Sequence, residues 1–171
     1  MQKENRPLDK WWNIALACIT LLILLADQLS KTWIRNNLSI GQKLYDAGFF
    51  QIINISNTGA AFGIFQGQVL ALTIISFIGA AALLVFAFIL YRRWPAFNSL
   101  WIKVAVALLL GGTIGNLVDR LRLGYVTDFI YFKIWPAFNV ADSAVTIGII
   151  LIAYFVIRLS LAEKQQDEEN L

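Results

Sequence analysis

Val69 to Tyr91 runs for 23 residues without one charged side chain. At 1.5 Å of rise per residue such a segment makes a helix of ~34 Å, enough to cross a bilayer core of ~30 Å. Inside lipid every backbone N–H and C=O must find its partner within the chain. A lone apolar run of this length therefore has one stable form, the transmembrane helix. Arg92-Arg93-Trp94-Pro95 follows it with a basic anchor, an interfacial aromatic and a helix stop. Three further segments read the same way: about Trp11 to Ser30, Ser99 to Leu117 and Asn139 to Leu159. Asp27 is the only charge in the first, and Lys103 in the third stands near the helix start, where it can snorkel to the interface. The fold class expected is an all-α membrane protein of four transmembrane helices in a single domain spanning 1–171, with connections at 31–68 and 118–138 and a polar tail at 160–171.

The chain is 58% hydrophobic and 15% charged, where soluble domains carry about 25% charged residues. The net charge is +3, but the basic residues stand at segment ends, so no nucleic-acid partner is expected. There is no histidine and a single cysteine, Cys18. That removes the commonest general base and metal ligand, any internal disulfide and any two-thiol redox chemistry. No metal and no cofactor are expected. Chemistry must come from carboxylates, amides, hydroxyls, lysine or arginine. Ala15-Leu16-Ala17-Cys18 faintly resembles a lipoprotein processing box, but hydrophobicity continues well past it, and Cys18 reads as a small core residue.

Four helices put both termini on one side. That side holds eight basic residues (Lys3, Arg6, Lys10, Arg92, Arg93, Lys103, Arg158, Lys164) against six opposite (Lys31, Arg35, Lys43, Arg120, Arg122, Lys133). The bias orients the termini to the cytoplasm and both long connections outward. In the first connection, Phe49 to Ser56 is aromatic and β-branched with partial alternation, the pattern of short strands at the interface. Asn57-Thr58-Gly59-Ala60-Ala61-Phe62-Gly63 follows as a turn of small residues able to admit an extended peptide.

The acids are the costly feature. A charged residue at the centre of a membrane helix costs about 2.5–3.5 kcal/mol on insertion scales, and Asp27, Asp119, Asp128 and Asp142 all fall near one face of the membrane. Asp27 and Lys31 stand at i, i+4, as an interfacial pair would. Asn116, Asp119 and Arg120 share one helix face, either as a polar site that grips peptide carbonyls or as a helix end closed by a surface ion pair. Gly111 and Gly115 have the spacing that lets a neighbouring helix approach closely. Asn139 and Asp142 have the spacing of a capping box at a helix start. Asp128, between a glycine turn and the apolar Phe129-Ile130-Tyr131-Phe132, has a poorer structural reason, that of an ordinary loop acid. Two carboxylates brought together there share one proton, so that one can deprotonate a water while the other protonates a leaving group.

In five stretches the chain resembles the lipoprotein signal peptidase (signal peptidase II) family: Asp27-Gln28-Leu29-Ser30-Lys31, Asn57-Thr58-Gly59-Ala60-Ala61-Phe62, Gly112 to Arg120, Val126-Thr127-Asp128-Phe129 and Phe138-Asn139-Val140-Ala141-Asp142-Ser143. The resemblance implies a bacterial inner-membrane aspartyl endopeptidase that cuts diacylglyceryl-modified prolipoproteins just before the lipid-bearing cysteine. It implies Asp128 and Asp142 as the catalytic pair, Asn57, Asn116, Arg120 and Asn139 as substrate-binding residues, and Asp27, Lys31, Asp119 and Gly59 in support. It also implies an extracytoplasmic β-cradle, a mobile interfacial segment that suits the basic-aromatic Lys31–Arg35 run, and a groove open to globomycin-type inhibitors. The partners expected are prolipoproteins and membrane lipid, with the protein a monomer. Two other readings compete: a small transporter or proton channel relaying through intramembrane acids, and an accessory four-helix protein.

Overall fold

A computed structural model describes residues 7–60, 64–93 and 99–169. The head before Pro7, Ala61 to Gly63 of the small-residue turn and the Trp94-Pro95 helix stop lie outside these. The element order is α1 (Pro7–Asn37), β1 (Lys43–Asp46), β2 (Phe50–Asn57), α2 (Val69–Arg93), α3 (Leu100–Leu123), β3 (Val126–Phe132), β4 (Trp135–Phe138) and α4 (Val140–Glu169). Each helix contains a stretch long and apolar enough to cross a membrane: Ile14–Asn37, Val69–Ile89, Leu100–Leu123 and Val140–Ala162.

Three helices run past the ends expected from hydropathy. α1 continues to Asn37, so Lys31–Arg35 forms its last turns. The extension is held by polar contacts that Lys31 and Arg35 make with α3 and β3. α3 continues to Leu123 and ends on Gly124, whose φ of 74° takes the left-handed region, with its N–H returned to the Arg120 carbonyl. α4 continues to Glu169 through most of the acidic stretch read as a tail, because a helix that has left the membrane satisfies its own backbone and needs no apolar face to persist. Cys18 is exposed on α1 rather than buried in a core; facing lipid costs a thiol little.

α3 is the central helix. In the apolar stretch of its membrane span 61% of the residues are buried, against 11% for each of the other three. Glycine sets how closely its neighbours come. A Cβ at Gly111 would stand 2.9 Å from the Thr20 carbonyl oxygen of α1, and one at Gly112 would run into the Ala141 carbonyl of α4. One at Gly115 would stand 2.6 Å from the Asp27 carboxylate. On α4, Gly148 plays the same part against Leu109 and the Ala105 carbonyl of α3. The spacing of Gly111 and Gly115 thus serves close packing of α1 and α4 on α3.

The strands form one antiparallel sheet in the order β1-β2-β3-β4. It lies at the end of the bundle where α1 and α3 finish and α2 and α4 begin. Ile34, Leu38 and Phe129 join the sheet to α1, with Ile52, Ile130 and Val140 packed around them. β2 and β3 slip in register between Ile52 and Ile55, so that Ile55 faces Asp128 and Asn57 faces Val126. A bulge of this kind bends the strand and re-aims its side chains. Its place beside Asp128 brings the end of β2 over the helix ends.

Replacing Gly112 by valine should lower the thermal unfolding midpoint in detergent, at a cost of about 1–3 kcal/mol or more for overpacking against backbone. The same change at Gly79, where a Cβ meets nothing within 4 Å, should leave the midpoint nearly unmoved.

Candidate active site

The largest fully buried side chains are Lys31, Asn139, Thr127, Asp27, Asp119 and Asp128. All are polar, while Leu22, Phe77 and Ile150 stand exposed where lipid surrounds the helices. This inversion concentrates hydrogen-bonding capacity where the helix ends meet the sheet.

The network starts on α1. Lys31 Nζ is 2.8 Å from Asp27 Oδ2 and 3.6 Å from Asp119 Oδ2, and donates to Asn116 Oδ1 at 2.9 Å. The other oxygen of Asp27 accepts the backbone N–H of Ala141 at 2.9 Å, an orphan donor at the start of α4. Asp119 accepts the Thr127 N–H at 3.0 Å and pairs with Arg35 at 3.3 Å. Arg35 also donates to Thr127 Oγ1 at 3.0 Å. The acid on α3 thus locks the start of β3 one residue before Asp128. Its ionic partners are Lys31 and Arg35, not Arg120 as the surface-pair reading had it.

Three asparagines then hold two carboxylates. Asn57 Nδ2 donates to Asp128 Oδ2 at 2.8 Å, and Asn139 Nδ2 donates to Asp128 Oδ1 at 2.7 Å. Asn116 Nδ2 donates to Asp142 Oδ1 at 2.7 Å. In each amide a partner on the oxygen fixes which way the nitrogen points. Gly59 N–H occupies Asn57 Oδ1 at 2.9 Å, Lys31 and Asn139 occupy Asn116 Oδ1, and the Asp142 N–H occupies Asn139 Oδ1 at 2.9 Å. With the Asn139 N–H on Asp142 Oδ2 at 3.2 Å, Asn139 and Asp142 complete a reciprocal cap at the start of α4, as their spacing suggests. That cap also fixes the position of the second carboxylate.

Gly59 matters twice. Its N–H orients Asn57, and a Cβ there would stand 3.1 Å from the Ile64 carbonyl oxygen and 3.3 Å from Gln66 Cα. Arg120 reaches Ser76 Oγ on α2 at 3.2 Å and borders the cavity into which the site opens. That cavity, of about 510 Å³, is lined by Asn57, Asn116, Arg120, Asp128 and Asp142 among others. Both acids therefore meet one space. Among the described residues no group of three or more His, Cys, Asp or Glu side chains could hold a metal ion.

Burial, and next the charge of Asp142, push the Asp128 carboxyl up to about 7, against the opposing hydrogen bonds of Asn57 and Asn139 and the charge of Lys31. It can thus carry a proton near neutral pH, as a general acid must. Of the residues that the sequence singles out, Asn57, Gly59, Asn116, Arg120, Asp128 and Asp142 line this cavity; Asn139, expected to bind substrate, is fully buried and holds Asp128 and Asn116 from behind, as Lys31, Asp27 and Asp119 hold the rest. Sequence reasoning missed Arg35, Gln28, Thr127 and Ser76 as members. Gln28 bonds Asp27, the Gly115 carbonyl and Asp119 at 3.0 to 3.3 Å. A polar residue at a helix end carries no mark of which distant groups it will meet, so only Gln28 and Thr127, inside the quoted stretches, could have been suspected.

A scan against family models matches residues 19–158 to the family described as signal peptidase (SPase) II. A protein of Dehalococcoides mccartyi named lipoprotein signal peptidase is 47% identical over 135 residues, covering 78% of this chain and 84% of that one. One of the same name from Lactobacillus johnsonii is 40% identical over 145 residues, covering 83% and 91%. A solved structure described as a bacterial membrane enzyme, determined in meso at 2.3 Å resolution, superposes with a TM-score of 0.75 at 34% identity, over 84% of this chain and 88% of that one.

Two measurements test the network. Lys31→Met leaves Asp27 buried without its cation and Asp119 with Arg35 alone, and should cost about 3–5 kcal/mol in detergent unfolding. Asp128 binds a proton in the folded state at pH values where the unfolded chain, with its carboxyl near 3.8, has released it. Its contribution to stability therefore falls as pH rises from about 4 to about 7. Asp128→Asn should accordingly gain on the wild type in thermal stability between pH 5 and pH 8, and a gain that is the same at both values would count against the raised carboxyl.

Proposed function

The chain belongs to the signal peptidase II family, and from that premise we propose that it removes the signal peptide from diacylglyceryl-modified prolipoproteins, cutting just before the lipid-bearing cysteine with Asp128 and Asp142 as its catalytic pair. It is a multi-pass bacterial membrane protein and a peptidase. The observation that carries the assignment of the pair is that both carboxylates border one cavity and are tied to each other through the amides of Asn116 and Asn139.

Two carboxylates on one small cavity share a proton, since both cannot ionise cheaply at close range. The ionised member takes a proton from water as the water oxygen attacks the scissile carbonyl carbon. The protonated member then delivers its proton to the amide nitrogen as the C–N bond breaks. The products are the signal-peptide carboxyl and the free amine of the lipidated cysteine, and the pair is left again with one proton. Titration belongs to the pair rather than to either acid. Asn57, Asn116 and Asn139 orient the carboxylates, Asn57 and Asn116 also border the substrate cavity, and Arg120 is placed to hold peptide carbonyls by directed hydrogen bonds. Asp27, Lys31, Asp119 and Gly59 keep these groups in register.

The diacylglyceryl chains stay in the bilayer while the bond is cut, so the reaction must take place at an interface. A polar site at the helix ends under a small sheet suits that demand. The basic-residue bias supports cytoplasmic termini and an active site near the extracytoplasmic face. The protein acts as a single-domain monomer, and a globomycin-type cyclic lipopeptide would compete for the cavity. The peptidase names of the relatives give no support to a transporter.

Purified protein with a diacylglyceryl-modified prolipoprotein should release the signal peptide on a gel, with a chelator present and no metal added. Asp128→Asn and Asp142→Asn should each lose about 10²–10⁴-fold in kcat/KM, the contribution of a positioned acid or base, while keeping a cooperative thermal transition. Full activity in either folded variant would remove that residue from the pair.

A further inference from the structure

Beside the cavity that holds both carboxylates lies a second, of about 410 Å³. The two share Asn57, Ala60, Asp128, Pro136 and Ala137, so Asp128 stands in the wall between them. Beyond that wall they differ. The first continues to Val145, Thr146 and Ile147 of α4, inside its apolar span. The second continues to Ile55, Ser56, Thr58, Gln66 and Tyr131, four of them with polar side-chain atoms, which belong to β2, the connection after it and β3, outside all four spans. One space therefore runs to lipid depth and the other to the sheet.

A peptide bond cut at Asp128 has chain on both sides of it. Resting on the prolipoprotein reading above, we propose that the second cavity binds the mature side of the substrate, the residue or two that follow the lipid-bearing cysteine. The signal peptide is apolar and membrane-spanning, which matches the cavity along α4. The mature segment leaves the membrane as polar chain, which matches the cavity against the sheet. Its volume is that of a small ligand site.

The lining also sets a preference. Ser56 and Thr58 hydroxyls, the Gln66 amide and the Tyr131 phenol are uncharged groups that donate and accept hydrogen bonds, and Asp128 is the single charged residue among those that line the cavity. A small uncharged polar side chain such as Ser or Asn finds partners there. A leucine in its place leaves the polar lining without partners. An aspartate meets Asp128 with no lining cation between them. The cavity thus selects small polar residues just after the cysteine.

The test uses full-length enzyme in lipid and five lipidated prolipoproteins that differ only in the residue after the cysteine: Ser, Asn, Ala, Leu and Asp. Wild type should cut the Ser and Asn substrates roughly fivefold faster in kcat/KM than the Leu substrate, the scale of one or two uncharged hydrogen bonds, and the Asp substrate more slowly again. Gln66→Ala and Tyr131→Phe, singly and together, should bring the Ser-to-Leu ratio within about twofold of one, with cleavage of the Ala substrate retained as the check on folding. Equal rates for all five substrates in wild type, or ratios unchanged in the variants, overturn the proposal and leave the peptidase reading standing. No cleavage of any substrate by folded wild type overturns both.

Discussion

Lys31 and Asp27 face each other at 2.8 Å with neither side chain reached by solvent. In a bilayer an unpaired charge at that depth is expensive, so the rest of the bundle must supply what the pair leaves unsatisfied. α3 supplies Asn116 and Asp119 to the ammonium, and α4 supplies the Ala141 N–H to the carboxylate. One ion pair on one helix therefore sets the register of two others. Replacing such a pair by apolar side chains is often neutral or stabilising. What the pair contributes here is position: its contacts with Asn116, Asp119 and the Ala141 N–H hold α1 against both α3 and α4.

The asparagines extend that logic from helices to the two carboxylates. Asn57, Asn116 and Asn139 each have an oxygen occupied by a fixed partner and a nitrogen turned to a carboxylate. An amide donates without adding a charge of its own. The two acids are thus held in place while the balance between them stays open to a single shared proton, and burial raises Asp128 enough for that proton to be present near neutral pH. A lysine in any of these three places would bind the carboxylates more strongly and favour ionisation of both. The chain keeps its one buried lysine of this cluster a step back, behind Asn116.

Much of this was legible from residue patterns. Four apolar runs specify four membrane helices because backbone in lipid has no other way to satisfy itself. The spacing of Asn139 and Asp142 announces a cap because a reciprocal cap needs that separation. Phe49 to Ser56 reads as strand, but β3 and β4 were not read from the residues. Their apolar stretches, Phe129–Phe132 and Trp135–Phe138, are too short to declare a period, and pairing of β3 with β2 and of β4 with β3 is what makes them strands. Cys18 reads as core by its small size and was misplaced, because side-chain type says nothing of which helix face meets protein and which meets lipid.

The sequence alone determined the class of chemistry. With no histidine and one cysteine, and with acids retained where acids are costly, it pointed to carboxylate chemistry, and five stretches that resemble one family in order along four spans put a membrane peptidase ahead of a transporter or an accessory protein. Tertiary structure decided which groups meet. Asp128 and Asp142 come to one cavity because a bulge in β2 brings Asn57 over Asp128 while Gly112 and Gly115 let α4 and α1 close on α3. Asp119 serves Thr127, Lys31 and Arg35 rather than its neighbour Arg120 for the same reason. Hydropathy and local spacing act within a turn or two of helix; hydrogen bonds between residues up to 114 positions apart exist only once the chain has packed.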